Sequence, residues 1–524
     1  MIRLLFILCV ATGVIAQGDA DSLTSLLSEA DETSFYENWA TQFFGPKTRF
    51  DNAPSKGLIR QRLVYSPSSS GWTVLNKGHV TTEDYAIHFI IEQDPSEISL
   101  SDHAALSLST DQIPGLTQLI IGNYQTRWGA GFLYDQNQRR RSMGVSSLKL
   151  SRALSIRPHY SSREGGFYTG VAFLTAQRNH QASGFISYRQ LTGNIQESGF
   201  KEDADGVHPA YQTFTQIRDP VIGLSGMYTF SQVSLFLAGV YKEHTGLLLE
   251  WGLHYTTASK TSLQIHGDSH GNMLMFGLLS ANSLRLSGQL RYLPLKSATG
   301  QSTVLTFLPR SAPSEMGVSW RIQARPSKQI VLRGALDHGL QTLRTSLEAH
   351  DVSRRKNIQL EFKQKTRTLR VELGGLIHDQ LSVQSIDTTE MESSRLSKLA
   401  LAWYQTLTPT HRYQLAVKVA RQGQSGSILI QQVIKWKRNG WRIDLGVTRY
   451  FVDDFSVRLS SYESTPLESF GFFTAYDDGQ RSFIYARHEA GKLTLELKAV
   501  QTRSFSKGYP FQQLALNFQL SIVF

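Results

Sequence analysis

Residues 514–524 alternate without a break. Leu514, Leu516, Phe518, Leu520, Ile522 and Phe524 fall on one side of an extended chain, and Ala515, Asn517, Gln519, Ser521 and Val523 on the other. A period of two is the signature of a strand, because successive side chains point to opposite faces. At about 3.3 Å per residue, a tilted strand of this length crosses the hydrocarbon core of a bilayer. One whole face is large and apolar, so something must cover it. Lipid does so when the strand belongs to a closed ring in which every backbone group is paired.

The same period recurs along the chain. Leu284, Leu286, Gly288, Leu290 and Tyr292 alternate with Arg285, Ser287, Gln289 and Arg291, and Val318, Trp320, Ile322 and Ala324 alternate with Ser319, Arg321, Gln323 and Arg325. Ile358, Leu360 and Phe362 interleave with Asn357, Gln359, Glu361 and Lys363. Trp441, Ile443, Leu445 and Val447 oppose Arg442, Asp444, Gly446 and Thr448, and Leu493, Leu495 and Leu497 oppose Lys492, Thr494, Glu496 and Lys498. Full charges on the polar face of strand after strand disfavour a soluble sandwich or propeller. Asn439-Gly440 and Asp478-Gly479 between such runs predict tight hairpin turns.

The expected fold is all-β: a large antiparallel transmembrane β-barrel with a short N-terminal leader. The barrel is expected to occupy residues 57–524, and roughly 18–22 residues per strand and turn gives on the order of 22–26 strands, an even number. Stretches near 132–166, 192–220, 294–315 and 377–394 are too polar or irregular to predict as strands. They are expected to be extracellular loops or segments folded into the lumen.

Arg3 precedes an apolar run from Leu4 to Ile15, then Ala16. This pattern predicts a signal peptide, residues 1–16, cleaved after Ala16. The run is too short to span as a helix. Cys9 follows Leu8 where a lipid-anchor site needs a small residue, so the chain's one cysteine is expected to leave with the signal. Residues 17–56 then form a periplasmic leader or small plug segment, too short for the globular plug of an energy-coupled transporter.

An alternating terminal strand ending in Phe resembles the recognition signal of bacterial outer-membrane barrels. Phe518, Leu520, Ile522 and Phe524 are the residues that would present it to the barrel assembly machinery. Farther upstream, Gly122-Asn123-Tyr124 followed by Gly129-Ala130-Gly131-Phe132 resembles a strand motif in a family of large Bacteroidota barrels named for an N-terminal helix-hairpin-helix segment. Asn123 stands where that family has an acid. Glu164, Phe167, Gly170, Val171 and Ala172, and then Ser187-Tyr188-Arg189, are similar to two further motifs of the family. The resemblance implies the barrel and an outer-membrane location in a Gram-negative bacterium. Residues 17–56 lack the paired helices of the family name, so DNA handling does not carry over and no nucleic-acid partner is expected.

Sequence signals for an active site are weak. His266-Gly267-Asp268-Ser269-His270-Gly271-Asn272 concentrates groups that could serve a hydrolase or, through His266, Asp268 and His270, a metal. Its two glycines instead predict a turn. Asp203-Ala204-Asp205-Gly206 opens like a calcium loop, but the downstream glutamate is missing. No enzyme, cofactor or metal is expected.

Basic residues are the stronger lead in a chain of formal charge +11. Arg139, Arg140, Arg141, Arg152, Arg157 and Arg163 share one irregular stretch and would form a constriction if it folds inward. Otherwise they would meet the phosphates of lipopolysaccharide from an exterior loop, or form a solvated charge run. Arg285, Arg291, Arg321, Arg325, Arg370 and Arg442 are assigned to the lumen wall, offset by Glu250, Glu361, Glu372 and Asp444. Rings of such cations favour anions in a pore. The expected function is a passive channel for small anionic solutes. The alternative is a plugged barrel that acts as a structural or assembly partner in surface export, with periplasmic or surface partners.

Overall fold

The computed structural model describes residues 56–66, 71–93, 103–129, 154–159, 167–196, 199–202, 215–243, 246–257, 261–269, 271–281, 283–293, 315–340, 350–364, 366–383, 389–466, 471–475, 477–505 and 511–524. Within them, 26 strands form one sheet and two more form a separate hairpin. Two strands of the large sheet, Ser155–Pro158 and Gly199–Glu202, pair beside the wall and not within it. The wall itself is a closed antiparallel barrel of 24 strands.

Closure joins the first wall strand, Lys56–Ser66, to the last, Gln512–Val523, from Leu58 opposite Val523 to Tyr65 opposite Leu516. Gly57 and Phe524 exchange both backbone hydrogen bonds at 3.0 Å, so no sheet edge is left open there.

The alternation sorts as the polar and apolar residues require. Leu290, Trp320, Ile358, Leu445 and Leu497 are exposed on the outer face. Gln289, Ser319, Gln359, Asp444 and Glu496 are buried on the inner one. Aromatic side chains edge the outer apolar band. Trp403 and Tyr413 meet edge-on at 5.8 Å, Trp441 stacks on His488 at 4.2 Å, and Tyr65 lies 5.2 Å from Trp72.

Successive connections lie at opposite ends of the barrel. Those where Gly57 meets Phe524 are short, such as 82–84, 231–232, 439–440 and 491–492, while the other end carries the long ones together with tight turns such as 423–424. Short turns mark the periplasmic rim of such barrels, so the longer connections face outward. Asn439 and Gly440 have φ of 48° and 78°, the left-handed pair that a type I′ turn requires.

Three expectations need correction. First, strands run into stretches that looked irregular. His180–Gln196 and Thr215–Phe230 extend into 192–220, Arg367–Val383 and Thr389–Thr406 extend into 377–394, and Ser155–Pro158 lies within 132–166. Past the lipid, a hairpin holds together by backbone ladders and needs no apolar face, so its side chains carry no period-two signal. Residues 294–314 lie outside the described residues, as do 1–55 and Asp203-Ala204-Asp205-Gly206. Second, Asp478-Gly479 is not a hairpin turn. Gly479 opens the strand Gly479–Ala490, where a Cβ would stand 2.4 Å from the Tyr450 hydroxyl and 2.6 Å from the Arg503 carbonyl. Third, the His266–Asn272 stretch is half strand, because Ser262–Asp268 is a wall strand.

Candidate functional site: the lumen

The described parts of two connections on the outer side, 154–159 and then 453–466 with 471–475, pack against the inner face of the wall. The first begins at Gly122, in the wall strand Gln118–Arg127. Gly122 lies opposite Gly170 of the strand Tyr168–Ala176, and both have positive φ, 101° and 151°. A Cβ at Gly122 would sit 2.2 Å from the Leu106 carbonyl, and one at Gly170 2.2 Å from the Ile186 carbonyl. At this twin kink, side chains replace the lost backbone ladder. Asn123 Oδ1 accepts from the Leu106 N–H at 2.9 Å, and its Nδ2 donates to Thr169 Oγ1 at 3.0 Å. Ser187 Oγ accepts from the Thr169 N–H at 3.3 Å.

Above the kink, an apolar cluster fills this side of the lumen. It includes Tyr124, Trp128, Leu154, Ile156, Tyr168, Phe185 and Phe236, all buried. Phe185 stacks on Tyr168 at 4.6 Å and packs against Trp128 at 5.1 Å. The polar tips of the rings are satisfied: Tyr124 donates to the Ile186 carbonyl at 3.1 Å and Trp128 Nε1 donates to Ser183 Oγ at 3.3 Å. An apolar core on the inner face of a barrel this wide forms only where chain covers it, since water would otherwise meet it.

Gly129 presses against Glu250 and Phe236, with room for no side chain: a Cβ would stand 2.2 Å from Glu250 Oε1. Beneath it, His254 and His266 bring their Nε2 atoms to 2.7 Å, and His266 Nδ1 lies 3.7 Å from Glu250 Oε1. His266 lies opposite Gly252, where a Cβ would be 2.6 Å from the imidazole. Asp268 instead accepts from the N–H and side-chain amide of Asn272 at 2.9 and 2.8 Å. His270 lies outside the described residues, and among those described no three His, Cys, Asp or Glu groups are arranged to hold a metal.

The second inward connection follows the wall strand Trp441–Val452. A 3₁₀ turn, Phe455–Val457, leads into a small hairpin, Leu459–Tyr462 with Phe472–Ala475. Val457, Leu459 and Ala475 bury against Ala420, Leu429 and Tyr450 of the wall. Ser427 Oγ donates to the Val457 carbonyl at 2.6 Å, Gln431 donates to the Tyr462 carbonyl at 3.2 Å, and Lys418 donates to the Ser460 carbonyl. Ser464 donates to Asp444, which also pairs with Arg442 at 2.6 Å.

Glu463 makes the strongest anchor. Its Oε1 accepts from Arg481 Nε at 2.6 Å, and its Oε2 accepts from Arg481 Nη2 at 3.2 Å and from Lys498 Nζ at 2.8 Å. Burial pushes the Glu463 carboxyl up, but the Arg481 hydrogen bonds and the two cationic charges outweigh it and hold it below the ordinary range.

Among the described residues, the sequence-assigned arginines have different surroundings. Arg139, Arg140, Arg141, Arg152 and Arg163 lie outside the described residues. Arg157 is exposed on Ser155–Pro158, opposite Gln125. Arg291 is fully buried, donating to Ser319 Oγ at 2.5 Å beside the open backbone of Gly317, and Arg321 is buried too. Arg370 pairs with Glu361 at 2.8 Å. Arg285 and Arg325 are exposed near the periplasmic rim. Glu372 accepts from Asn357 at 2.8 Å. The sequence places Glu250 in the lumen and singles out His266, but it gives no sign of their contact, of His254 beside them, or of the Glu463–Arg481 pair.

A closed 24-strand antiparallel barrel with an apolar outer belt and a charged inner face is a Gram-negative outer-membrane β-barrel. No family model and no curated protein matches the chain. Among solved structures it is similar to the siderophore receptor PirA from Acinetobacter baumannii, with 9% identity over 90% of this chain and 81% of that one and a TM-score of 0.46. It is similar to the FrpB iron transporter from Neisseria meningitidis, with 7% identity over 90% and 82% and a TM-score of 0.47. The copper transporter OprC gives 10% identity over 91% and 81%, with a TM-score of 0.46. The assignment to the outer membrane rests on the strand pairing and the outer belt.

Proposed function

We propose that this barrel is a restricted passage for small anionic solutes, its bore set by two inward-folded connections. The observation that carries the reading is the inserted segment at 453–478, fixed to the wall by Glu463 through Arg481 and Lys498. A barrel of 24 strands would otherwise enclose a wide aqueous lumen. The preference for anions is supported by the formal charge of +11 and by Arg285 and Arg325 exposed near the periplasmic rim. The acids Glu361 and Asp444 cancel much of the remaining wall charge locally, so selectivity on this reading is modest.

Planar-bilayer recording under a salt gradient tests it. Wild type should give small steps with anion preference, and replacing 453–478 by an Asn-Gly turn should enlarge them. A silent bilayer for both proteins, with insertion verified, would reject a passage. It would leave the other reading, a filled barrel serving as structural or assembly partner in surface export. That reading draws support from the buried, charge-anchored character of the inserted segment and predicts co-purifying periplasmic or surface proteins. On either reading the barrel meets lipid and lipopolysaccharide outside and uses the barrel assembly machinery to insert, presenting Phe518, Leu520, Ile522 and Phe524. The kinship to the Bacteroidota barrel family stands as part of the same proposal.

A further inference from the structure

We propose that Arg481 and Lys498 form an oxyanion-binding site on the lumen wall, which Glu463 of the inserted hairpin occupies as an internal ligand. This rests on the passage reading above for its physiological meaning, though not for its chemistry.

Three observations carry it. The first is geometry. Arg481 meets the carboxylate through Nε and Nη2, one nitrogen to each oxygen, the two-pronged arrangement with which guanidinium recognises free carboxylates and phosphates. The second is charge. Among the described residues, two cations face the one carboxylate of Glu463, a balance that a dianion would neutralise more completely. The third is that the cationic half is held in place by the wall. Arg481 Nη1 donates to Thr502 Oγ1 at 2.9 Å, and Lys498 Nζ stands 5.5 Å from the centre of the Phe483 ring. Thr502, Phe483, Arg481 and Lys498 all belong to the paired wall strands Gly479–Ala490 and Leu493–Ser504. Withdrawal of the hairpin would remove Glu463 and the Phe473 ring 4.5 Å over the Arg481 guanidinium, and would leave Arg481 its wall contact to Thr502. Arg481 keeps a fifth of its side chain exposed, which gives a solute a first contact before Glu463 leaves.

The competition follows directly. A small dianion that takes both cations releases Glu463, and with it the main ionic anchor of the segment at 453–478. Solute binding and opening of the lumen would then be one event.

Calorimetric titration of the folded, detergent-purified protein with sodium succinate and with inorganic phosphate tests this. E463A should bind one of the two at least tenfold more tightly than wild type, and adding K498M should remove most of that gain. Tighter succinate marks a carboxylate site and tighter phosphate a phosphate site. E463Q keeps the shape of the anchor without its charge and should show the same gain if E463A does not fold. Folded E463A or E463Q that binds neither anion better than wild type would overturn the proposal and leave Glu463 as a strut. Binding is read without conduction, so a silent bilayer would remove the passage reading and leave this result standing.

Discussion

The ring of Phe524 lies across the backbone of Gly57, so close that a Cβ added to Gly57 would stand 2.3 Å from the ring tip. The same two residues exchange the backbone hydrogen bonds that close the barrel. Closure thus depends on a missing side chain at the first strand and an aromatic at the last. Gly57→Ala should lower stability by about 1–3 kcal/mol, the usual cost of overpacking. In the Gly57→Ala/Phe524→Ala double variant the clash is gone, so the two losses should be less than additive. Urea unfolding in detergent measures all four corners of the cycle, and strict additivity would contradict the contact.

Asn123 occupies the kink where two wall strands turn inward. Its carbonyl receives the Leu106 N–H and its amide reaches Thr169. Asn123→Ala removes both, and the expected loss is about 1–2 kcal/mol. Asn123→Asp keeps the acceptor for Leu106 and should cost less. Unfolding midpoints of the two variants would be compared, and an equal loss in both would assign the effect to Thr169 alone.

The wall was legible in the sequence because lipid enforces it. Every strand crossing the hydrocarbon must turn a face such as Leu284, Leu286 and Leu290 outward, and that leaves a period of two. The lumen obeys no such rule. Glu463 sits in a stretch, 453–478, that carries no sustained period of two, and its partners lie 18 and 35 residues away. Gly267 misled for a different reason. Beside Asp268 and Ser269 it predicts a turn, yet it lies in a strand opposite Trp251, where a Cβ would be 2.6 Å from the indole. A glycine that makes room for a ring across a ladder looks, in sequence, like one that makes a turn. Gly252 does the same for His266 on the inner face.

Charge placement separates arginines that act on the passage from those that act on the wall. Arg285 and Arg325 are exposed near the periplasmic rim, whereas Arg291 is sealed against Ser319. The double variant Arg285→Gln/Arg325→Gln should shift the reversal potential toward cations without loss of stability. Arg291→Gln should leave selectivity unchanged and lower the unfolding midpoint. The opposite pattern would place Arg291 on the permeation path.

The Glu463 anchor gives the inserted segment a pH dependence whose sign can be worked out. Its carboxyl is held below the ordinary range, with burial opposed and exceeded by the Arg481 hydrogen bonds and the charges of Arg481 and Lys498. A group depressed on folding contributes its stability in full above the unfolded value, about 4.3 for glutamate, and loses it as pH falls through the folded one. The anchor should therefore be intact at neutral pH and fail only below about pH 4, where the buried cations would lose their partner. Asp444 of the wall strand Trp441–Val452 also holds the segment, through Ser464, so wild type alone would not isolate Glu463. Glu463→Gln does: it removes the charge and leaves Asp444 in place. Wild-type conductance steps should grow as pH falls from 7 to 3, while Glu463→Gln steps should be large at both ends. Identical pH profiles in the two proteins would mean that the segment is held by Asp444 and its apolar contacts, and that Glu463 carries none of the response.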